Sequence, residues 1–371
     1  METTAPRSAA ATYDVPARRA AFSGERVSSV AFDWTMAVLG GLFVGGLYVD
    51  GWAHNHLHHI ETFFTPWHAM FYGSFFLLAI VFGVYVAFGL YANVKEHSNV
   101  FARWARAIPR GYEWSALGIA LFLLSGFGDM FWHIRFGIEV DTEALLSPTH
   151  LGLATGMALT LLGPFRAAVA ADDDRRGAML WPAILSLTWL YCGLTFMTQF
   201  APAMAHWGVG APTSGDMAEL RLDRSVTVQL LDAALLGGVV VVLLRQFGGR
   251  LPFGAVTAIL LINSLLMETQ QGGNDQLLGI VMAGLGSDAL IALLRPSATR
   301  VTALRWTAFA VPFLYFAAHY ATDFARGYPI YYKVHIWAGL PVIAGLVGWL
   351  MSFVAIGAPA TPRGATADTQ A

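Results

Sequence analysis

Residues 50–68 read DGWAHNHLHHIETFFTPWH and interrupt a chain that is otherwise apolar over long stretches. One apolar run, near residues 30–51, precedes this segment, and a second run, near residues 66–91, follows it. Each run is long enough to cross the ~30 Å hydrocarbon core of a bilayer, which takes about 20 residues of helix. The segment therefore predicts a short polar connection between two antiparallel membrane helices.

The composition extends this prediction to the whole chain. Hydrophobic residues make up 56% of the 371 residues and charged residues only 12%, which excludes an ordinary soluble domain. The apolar runs are continuous rather than alternating, so helices are favoured over the strands of a membrane barrel. The sequence thus predicts an all-α, polytopic membrane protein with about ten transmembrane helices, near residues 30–51, 66–91, 113–133, 148–166, 178–199, 224–244, 252–267, 276–294, 302–322 and 335–356.

The basic residues predict the orientation of these helices. Most of the 22 Lys and Arg residues fall in the tails and in the loops that share their side of the membrane, and cytoplasmic loops carry such an excess. We therefore expect both termini to be cytoplasmic and the protein to reside in the cell (inner) membrane. The predicted parts are a cytoplasmic tail (1–29), a single transmembrane domain (30–357) and a disordered C-terminal tail (358–371).

Residues 129–150, DMFWHIRFGIEVDTEALLSPTH, repeat the pattern of residues 50–68. Both copies contain Asp-x-x-x-His, then a Glu, then Thr/Ser-Pro-x-His. An Asp and a His four residues apart share one face of a helix, and a His at the start of the next helix can approach them. The hairpins 30–91 and 113–166 are therefore predicted to build two related metal sites near the periplasmic or extracellular face, with the ligands Asp50, His54 and His68 in one and Asp129, His133 and His150 in the other.

The start of the second helix of each hairpin is marked by a hydroxyl residue followed by proline. Thr65 and Ser147 are predicted N-caps, with the following proline at the first helical position. Each copy also carries a Glu seven residues before its second His, Glu61 in one and Glu143 in the other. These two are possible secondary site residues, as a fourth ligand, a base or a residue that orients a ligand; solvated loop carboxylates are the alternative.

The ligand types limit the metal and its role. Imidazoles and carboxylates without a thiolate suit copper(II), zinc, iron(II) or manganese, and the single Cys192 excludes a thiolate cluster. Three protein ligands leave a coordination position open, which favours catalysis or transport over a closed structural site. A purely structural network of polar side chains is the alternative. No residue is assigned a catalytic role.

Residues 50–75 resemble the metal-binding segment of one membrane subunit of the particulate methane and ammonia monooxygenases, which are copper-dependent membrane oxidases. The matching features are Asp50, His54, the pair Glu61-Thr62, the run Phe64-Thr65-Pro66 with His68, and the pair Phe71-Tyr72. The internal copy, residues 129–150, follows the same plan. The resemblance implies copper bound by Asp50, His54 and His68, a small apolar substrate, O2 and further membrane subunits.

Other polar residues lie in the second half of the chain. His319 and Asp323 are four residues apart, and His335 opens the last predicted helix, so these three are a candidate third site, with interhelical hydrogen bonding as the alternative. Polar residues near 268–275 and 199–206 are expected to face a shared cavity in part. Asp232 and Asp288 lie deeper in their helices, a position typical of ion pathways. No pathway is assigned to them from the sequence.

These observations favour a copper-dependent membrane oxidoreductase that resembles a monooxygenase, with zinc or iron as alternative metals. A metal transporter or metal-delivery protein is the second hypothesis, and a haem or quinol membrane redox protein is the third. The lipid bilayer is the predicted environment. A net charge of −2 provides no basic surface for nucleic acid, so no nucleic-acid partner is predicted.

Overall fold

The computed structural model describes residues 27–57, 62–92, 100–137, 145–171, 175–199, 216–271, 276–327 and 333–356. Within these ranges the regular elements are helices, which confirms the predicted all-α class. In chain order they are α1 (Val30–His56), α2 (Pro66–Ala92), α3 (Val100–Ala107), α4 (Glu113–Phe136), α5 (Pro148–Leu161), α6 (Gly163–Ala170), α7 (Trp181–Met197), α8 (Asp216–Gln246), α9 (Ala255–Gln271), α10 (Leu277–Leu294), α11 (Val301–Arg326) and α12 (Val334–Ala355).

Nine segments of the described chain are long and apolar enough to cross a membrane, so the chain is a multi-pass membrane protein. One of these segments combines α5 and α6, which are separated near Pro164 because proline has no N–H for the helical ladder. The predicted seventh crossing corresponds to α9, which has 17 residues. At 1.5 Å per residue α9 is about 26 Å long, slightly shorter than a typical hydrocarbon core.

The buried apolar residues form two cores. The first is rich in aromatic rings from α1, α2 and α4; the centroids of Phe75 and Phe122 lie 4.3 Å apart, and Phe43 packs at 4.9 Å from Phe122. The second core is built mainly by α7 to α12 and contains aliphatic residues such as Leu236 and Ile259. Large apolar side chains also cover the outside of the helices, as expected for a surface that contacts lipid.

Small residues allow α4 and α5 to approach closely. A Cβ added to Gly118 would lie 2.5 Å from the backbone nitrogen of Thr160, and one added to Gly156 would lie 2.6 Å from the backbone nitrogen of Phe122. Membrane helices gain little from burying apolar surface against one another, so close van der Waals packing at small residues decides which faces meet. This contact fixes the second hairpin and places the end of α4 beside the start of α5.

Polar contacts mark the two ends of the helix bundle. At the end where α1 begins, Arg175 forms a buried ion pair with Asp33 and donates to the carbonyl of Ser28 at 2.9 Å. The hydroxyl of Tyr112 donates to Asp33 at 2.7 Å; burial raises the pKa of Tyr112, and Asp33 raises it further, so the hydroxyl keeps its proton. The opposite end, where α1 ends at His56 and α2 begins at Pro66, is called the cluster end below.

Candidate functional site

The predicted helix starts position the second His of each copy. Helix α2 begins at Pro66 and α5 begins at Pro148, as predicted. The Thr65 hydroxyl accepts from the backbone N–H of His68 at 3.2 Å, and the Ser147 hydroxyl accepts from that of His150 at 3.3 Å. The same hydroxyls lie 2.8 and 2.9 Å from the Nδ1 atoms of these two His rings. Each cap thus both starts its helix and orients the imidazole.

The first cluster contains Asp50, His54 and His68. One ligand atom from each residue lies within 4.8 Å of the others. Asp50 and His54 are a turn apart near the end of α1, and His68 approaches from the first turn of α2, with its Nδ1 at 3.8 Å from Asp50 Oδ1. The rings of His54 and His68 meet edge to face with centroids 5.4 Å apart. The hairpin therefore brings the three predicted ligands together.

The second cluster contains Asp129, His133 and His150, again with one ligand atom from each within 4.8 Å of the others. Its centre is Asp129 Oδ1, which lies 3.1 Å from His150 Nε2 and 3.5 Å from His133 Nε2. Asp129 and His133 are buried, whereas His150 keeps partial contact with solvent. This cluster is the more enclosed of the two.

The hydrogen bond at the far side of His133 identifies the form of its ring. His133 Nδ1 lies 3.1 Å from the carbonyl oxygen of Gly137, and a carbonyl only accepts, so Nδ1 carries a hydrogen. Nε2 is buried and makes no hydrogen bond to the described residues. In a neutral ring the Nε2 lone pair would face the oxygen of Asp129. A cation must therefore lie between them, either a proton on Nε2 or a metal ion.

The first cluster contains a comparable atom. Asp50 Oδ1 is buried and makes no hydrogen bond to any described residue, and a buried carboxylate oxygen without a partner is costly. Metal bonds of about 2.1 Å place tetrahedral ligand atoms about 3.4 Å apart. The clusters are therefore somewhat wider than a loaded site, and binding would draw their side chains together by roughly 1 Å. Both clusters fit a metal ion by ligand type and arrangement.

The two clusters lie side by side. The rings of His68 and His133, one from each cluster, have centroids 6.4 Å apart. The Phe63 ring lies against both, at 5.0 Å from His68 and 6.0 Å from His133. The sequence predicted two related sites but not that they would be neighbours. The two hairpins therefore contribute to one polar centre that is bordered by an aromatic ring.

Two hydroxyl groups hold Asp129 in place. Tyr72 Oη donates to Asp129 Oδ2 at 3.0 Å, and Thr149 Oγ1 donates to Asp129 Oδ1 at 3.1 Å. Tyr72 stands one turn after His68 on α2, so this bond joins the helix of the first cluster to the carboxylate of the second. Gly126 on α4 permits the approach, because a Cβ there would lie 2.9 Å from the Tyr72 ring.

The structure treats the other predicted site residues differently. Glu61 and Glu143 lie outside the described residues. His319 Nε2 lies 4.0 Å from Asp323 Oδ2 on one face of α11, and the Gln276 side chain donates to Asp323. His335 is exposed on α12. Within the described ranges these residues form no group of three ligands, in contrast to the two clusters.

A polar network was expected from the ends of the fifth and seventh predicted helices, and part of it is present. The Asn55 amide donates to Gln199 at 2.8 Å and to Gln270 at 3.1 Å, so it connects α1 to the ends of α7 and α9. The Gln270 amide in turn donates to the carbonyl of Tyr48 at 2.8 Å. These bonds fix the end of α1, the helix that carries Asp50 and His54.

Sequence reasoning did not assign a role to Tyr72, Thr149 or Phe63. A signal for each was present: Tyr72 follows His68 by one helical turn, Thr149 directly precedes His150, and Phe63 lies two residues before the cap at Thr65. Residues one turn from a ligand, or next to it, are the usual source of the hydrogen bonds that orient it. The sequence could not show that Tyr72 reaches the other hairpin.

No protein-family model, curated protein or solved structure matches this chain.

Proposed function

We propose that the protein is a metal-dependent membrane oxidoreductase, with copper bound by Asp50, His54 and His68 and by the second cluster. The observation that carries this proposal is the pair of neighbouring Asp-His-His clusters, whose nearest rings are 6.4 Å apart. Zinc and iron suit the same ligands, and the resemblance of residues 50–75 to a metal-binding segment of the copper-dependent monooxygenases favours copper.

The geometry supports metal binding over a purely structural network. A structural network of buried polar groups normally satisfies each of its atoms. Here His133 Nε2 and Asp50 Oδ1 make no hydrogen bond to the described residues, and both point into the clusters. The other side of each ring or helix is held firmly, by Gly137 for His133 and by the caps for His68 and His150. Ligands that are oriented from behind and unsatisfied in front are expected of a metal site.

The open coordination position and the surroundings support oxidation chemistry. A metal held by three ligands supplies a site for O2 and a means of passing electrons to it. The clusters lie in apolar helices that a small apolar substrate can reach by partitioning into the lipid. The net reaction would convert R–H, O2, two electrons and two protons to R–OH and water, with a membrane quinol as the electron donor. Asp129 and Asp50 would hold the metal, and Phe63 would shield it from water.

A metal transporter is less well supported by the arrangement of charges. A transporter requires ligands that continue across the bilayer, whereas the two clusters lie at one end of the helices. At the opposite end, described acidic residues are paired: Asp33 with Arg175 and Glu113 with Arg166. The excess of Lys and Arg in the loops at that end supports a cytoplasmic position for both termini and an external position for the clusters.

Metal analysis of the purified protein tests the proposal. The protein would be purified in detergent without chelators, loaded with copper(II), and measured by elemental analysis and electron paramagnetic resonance. We expect copper in both clusters, with nitrogen hyperfine structure from imidazole. His54→Ala should remove the metal of the first cluster and His133→Ala that of the second. His56→Ala is the matched control, since His56 lies on the same helix but is exposed and contacts Trp52.

Full metal content in a protein that carries both His54→Ala and His133→Ala would overturn the site assignment. Equal loading by zinc alone, with no copper or iron retained, would argue against redox chemistry. The oxidoreductase assignment is tested separately by O2 uptake of loaded proteoliposomes supplied with a reduced quinone and a small alkane or ammonia. Uptake that is the same in wild type and His133→Ala would contradict it.

A further inference from the structure

Two carboxylates in the middle of the second helix group have different surroundings. Asp288 on α10 accepts from the backbone N–H groups of Val256 and Thr257, both at 3.0 Å, and from the Thr257 hydroxyl at 2.6 Å. It therefore caps the start of α9 from a neighbouring helix, and its charge is fully used by these donors. Asp288 needs no further role.

Asp232 on α8 has no such set of donors. Its side chain is buried, and the one hydrogen bond that reaches it among the described residues is a long contact of 3.5 Å from the Tyr191 hydroxyl. No cationic side chain of the described residues lies close enough to compensate its charge. A carboxylate without a partner inside a membrane helix is costly, and such residues commonly bind or pass protons.

The groups around Asp232 are hydroxyls and a second carboxylate. Tyr191 comes from α7 and Tyr315 from α11, and both rings are buried. Tyr315 is within electrostatic range of Asp232 and also of Glu268, which lies near the cluster end of α9. Both carboxylate oxygens of Glu268 are shielded from solvent. These groups form a continuous set from Glu268 to Asp232.

Ser264 lies within this set and supplies an independent observation. Its hydroxyl is fully buried one turn before Glu268 on α9, faces Tyr315, and completes no hydrogen bond of good geometry to a described residue. A buried hydroxyl normally has a partner. A hydroxyl can accept one proton and release another, so Ser264 and the tyrosines are suited to passing a proton.

We propose that Asp232 is a proton-binding site, loaded through Glu268 and the hydroxyls of Tyr315, Ser264 and Tyr191. A proton taken up at the Glu268 carboxylate binds to a hydroxyl oxygen, which releases its own proton to the next group until Asp232 becomes the neutral acid. One proton enters, one O–H bond forms at Asp232, and every hydroxyl is restored. No electron is transferred.

The proton enters from the cluster end and does not cross the bundle. On α8, the buried residues beyond Asp232 are apolar, namely Leu236, Val240 and Leu243. The other helix packed here, α12, meets α8 at Gly348 and Gly237, and its described buried residues include no titratable side chain. The titratable groups that face Asp232 are thus the two tyrosines, with Glu268 beyond Tyr315. The site is a dead-ended store rather than a transmembrane conduit.

Infrared difference spectroscopy on the full chain in lipid nanodiscs tests this proposal. Between acidic and alkaline buffer the wild type should show the C=O stretching band of a protonated carboxylic acid, and this band should shift when water is replaced by D2O. Asp232→Asn should lose the band, and Asp232→Glu should keep it at a shifted frequency. Asp288→Asn is the matched control and should keep the wild-type band, because Asp288 is a capping carboxylate.

The route is tested by the rate of deuterium exchange at the same band. Glu268→Gln and Tyr315→Phe should keep the band and slow its shift in D2O. A wild type without the band, a band that survives in Asp232→Asn, or unchanged exchange in both route variants would each overturn the proposal. Each variant would first be checked for monodisperse elution, and Asp232→Glu remains informative if Asp232→Asn does not fold. Metal content is measured in parallel, since Asp232→Asn should retain it; failure of the metal sites would leave this test unaffected.

Discussion

Tyr72 provides the sharpest test of how the second cluster is held. Replacing Tyr72 with Phe removes the hydroxyl that donates to Asp129 at 3.0 Å and keeps the ring, which packs 5.7 Å from Phe63 and 5.9 Å from Phe122. Without this bond Asp129 can rotate and carry Oδ1 away from the point that it shares with the two His rings. We therefore expect weaker metal binding without a loss of folding.

The magnitude follows from the type of bond. A hydrogen bond to a charged group contributes about 1.5–3 kcal/mol, and each 1.4 kcal/mol changes a dissociation constant about tenfold. Loss of a group that orients a ligand typically weakens metal binding about 10–100-fold. Tyr72→Phe should therefore raise the Kd of the second cluster by about 10–100-fold. The hydroxyl of Thr149 still holds Asp129 Oδ1, so binding should weaken rather than disappear.

The assay is a competition titration against a chelator of known affinity. His54→Ala would serve as the background, because only the second cluster then reports. Tyr91→Phe is the matched control, since Tyr91 stands on the same helix, is strongly exposed and lies at the opposite end. An affinity of Tyr72→Phe equal to that of the background would refute the idea that Tyr72 orients a metal-binding carboxylate. Unfolding of the variant at the same temperature as the background would show that the effect is local.

Three further variants test other parts of the structure. Arg175→Met should lower the free energy of unfolding by about 3–5 kcal/mol, since it leaves a buried carboxylate unpaired; denaturant unfolding checks this, and exposed Arg110→Met should have little effect. Gly118→Ala would place a Cβ 2.5 Å from a backbone nitrogen of α5, so overpacking should cost about 1–3 kcal/mol and lower the metal content of the second cluster; Gly45→Ala has open space and should change neither. Ser147→Ala should cost about 0.5–2 kcal/mol through the lost N-cap and weaken metal binding at the second cluster, with rescue by Ser147→Thr.

The features that sequence reasoning predicted correctly are local or follow from composition. Long apolar runs predicted the membrane helices, because a bilayer leaves few other ways to satisfy the backbone. Hydroxyl-proline pairs predicted the starts of α2 and α5, because the N-cap geometry depends on adjacent residues. The Asp-x-x-x-His spacing predicted that each Asp would share a face with its His. Together these rules assembled each cluster from one hairpin.

The neighbouring position of the two clusters could not be predicted in this way. It depends on α2 and α4 meeting so that Tyr72 reaches Asp129, and this approach requires the absence of a side chain at Gly126. Between membrane helices the packing of small residues selects the contact, and glycines are frequent along this chain. Their spacing does not indicate which pair of helices will use them.

The candidate third site shows why the repeated pattern mattered. His335 stands at the second position of α12, as the sequence suggested, but its N-cap is Lys333, whose side chain makes no capping bond. In the two clusters, by contrast, a Thr or Ser cap contacts the imidazole Nδ1 and turns the ring toward the carboxylate. His335 lacks that restraint and is exposed, while Asp323 is satisfied by Gln276. The hydroxyl-Pro-x-His order was therefore the informative part of the motif.

Buried carboxylates in this chain also show the limit of a one-dimensional reading. Asp33, Asp288 and Asp232 all lie in apolar helices, and each has the sequence signature of an intramembrane charge. Asp33 is neutralised by Arg175 and Asp288 by three donors at the start of α9, whereas Asp232 has one long contact from a tyrosine. Since burial penalises the charge of all three, the number of partners decides which group keeps a fixed charge and which can exchange a proton. That number is set by helices distant in sequence, so only the assembled fold distinguishes a structural carboxylate from a chemical one.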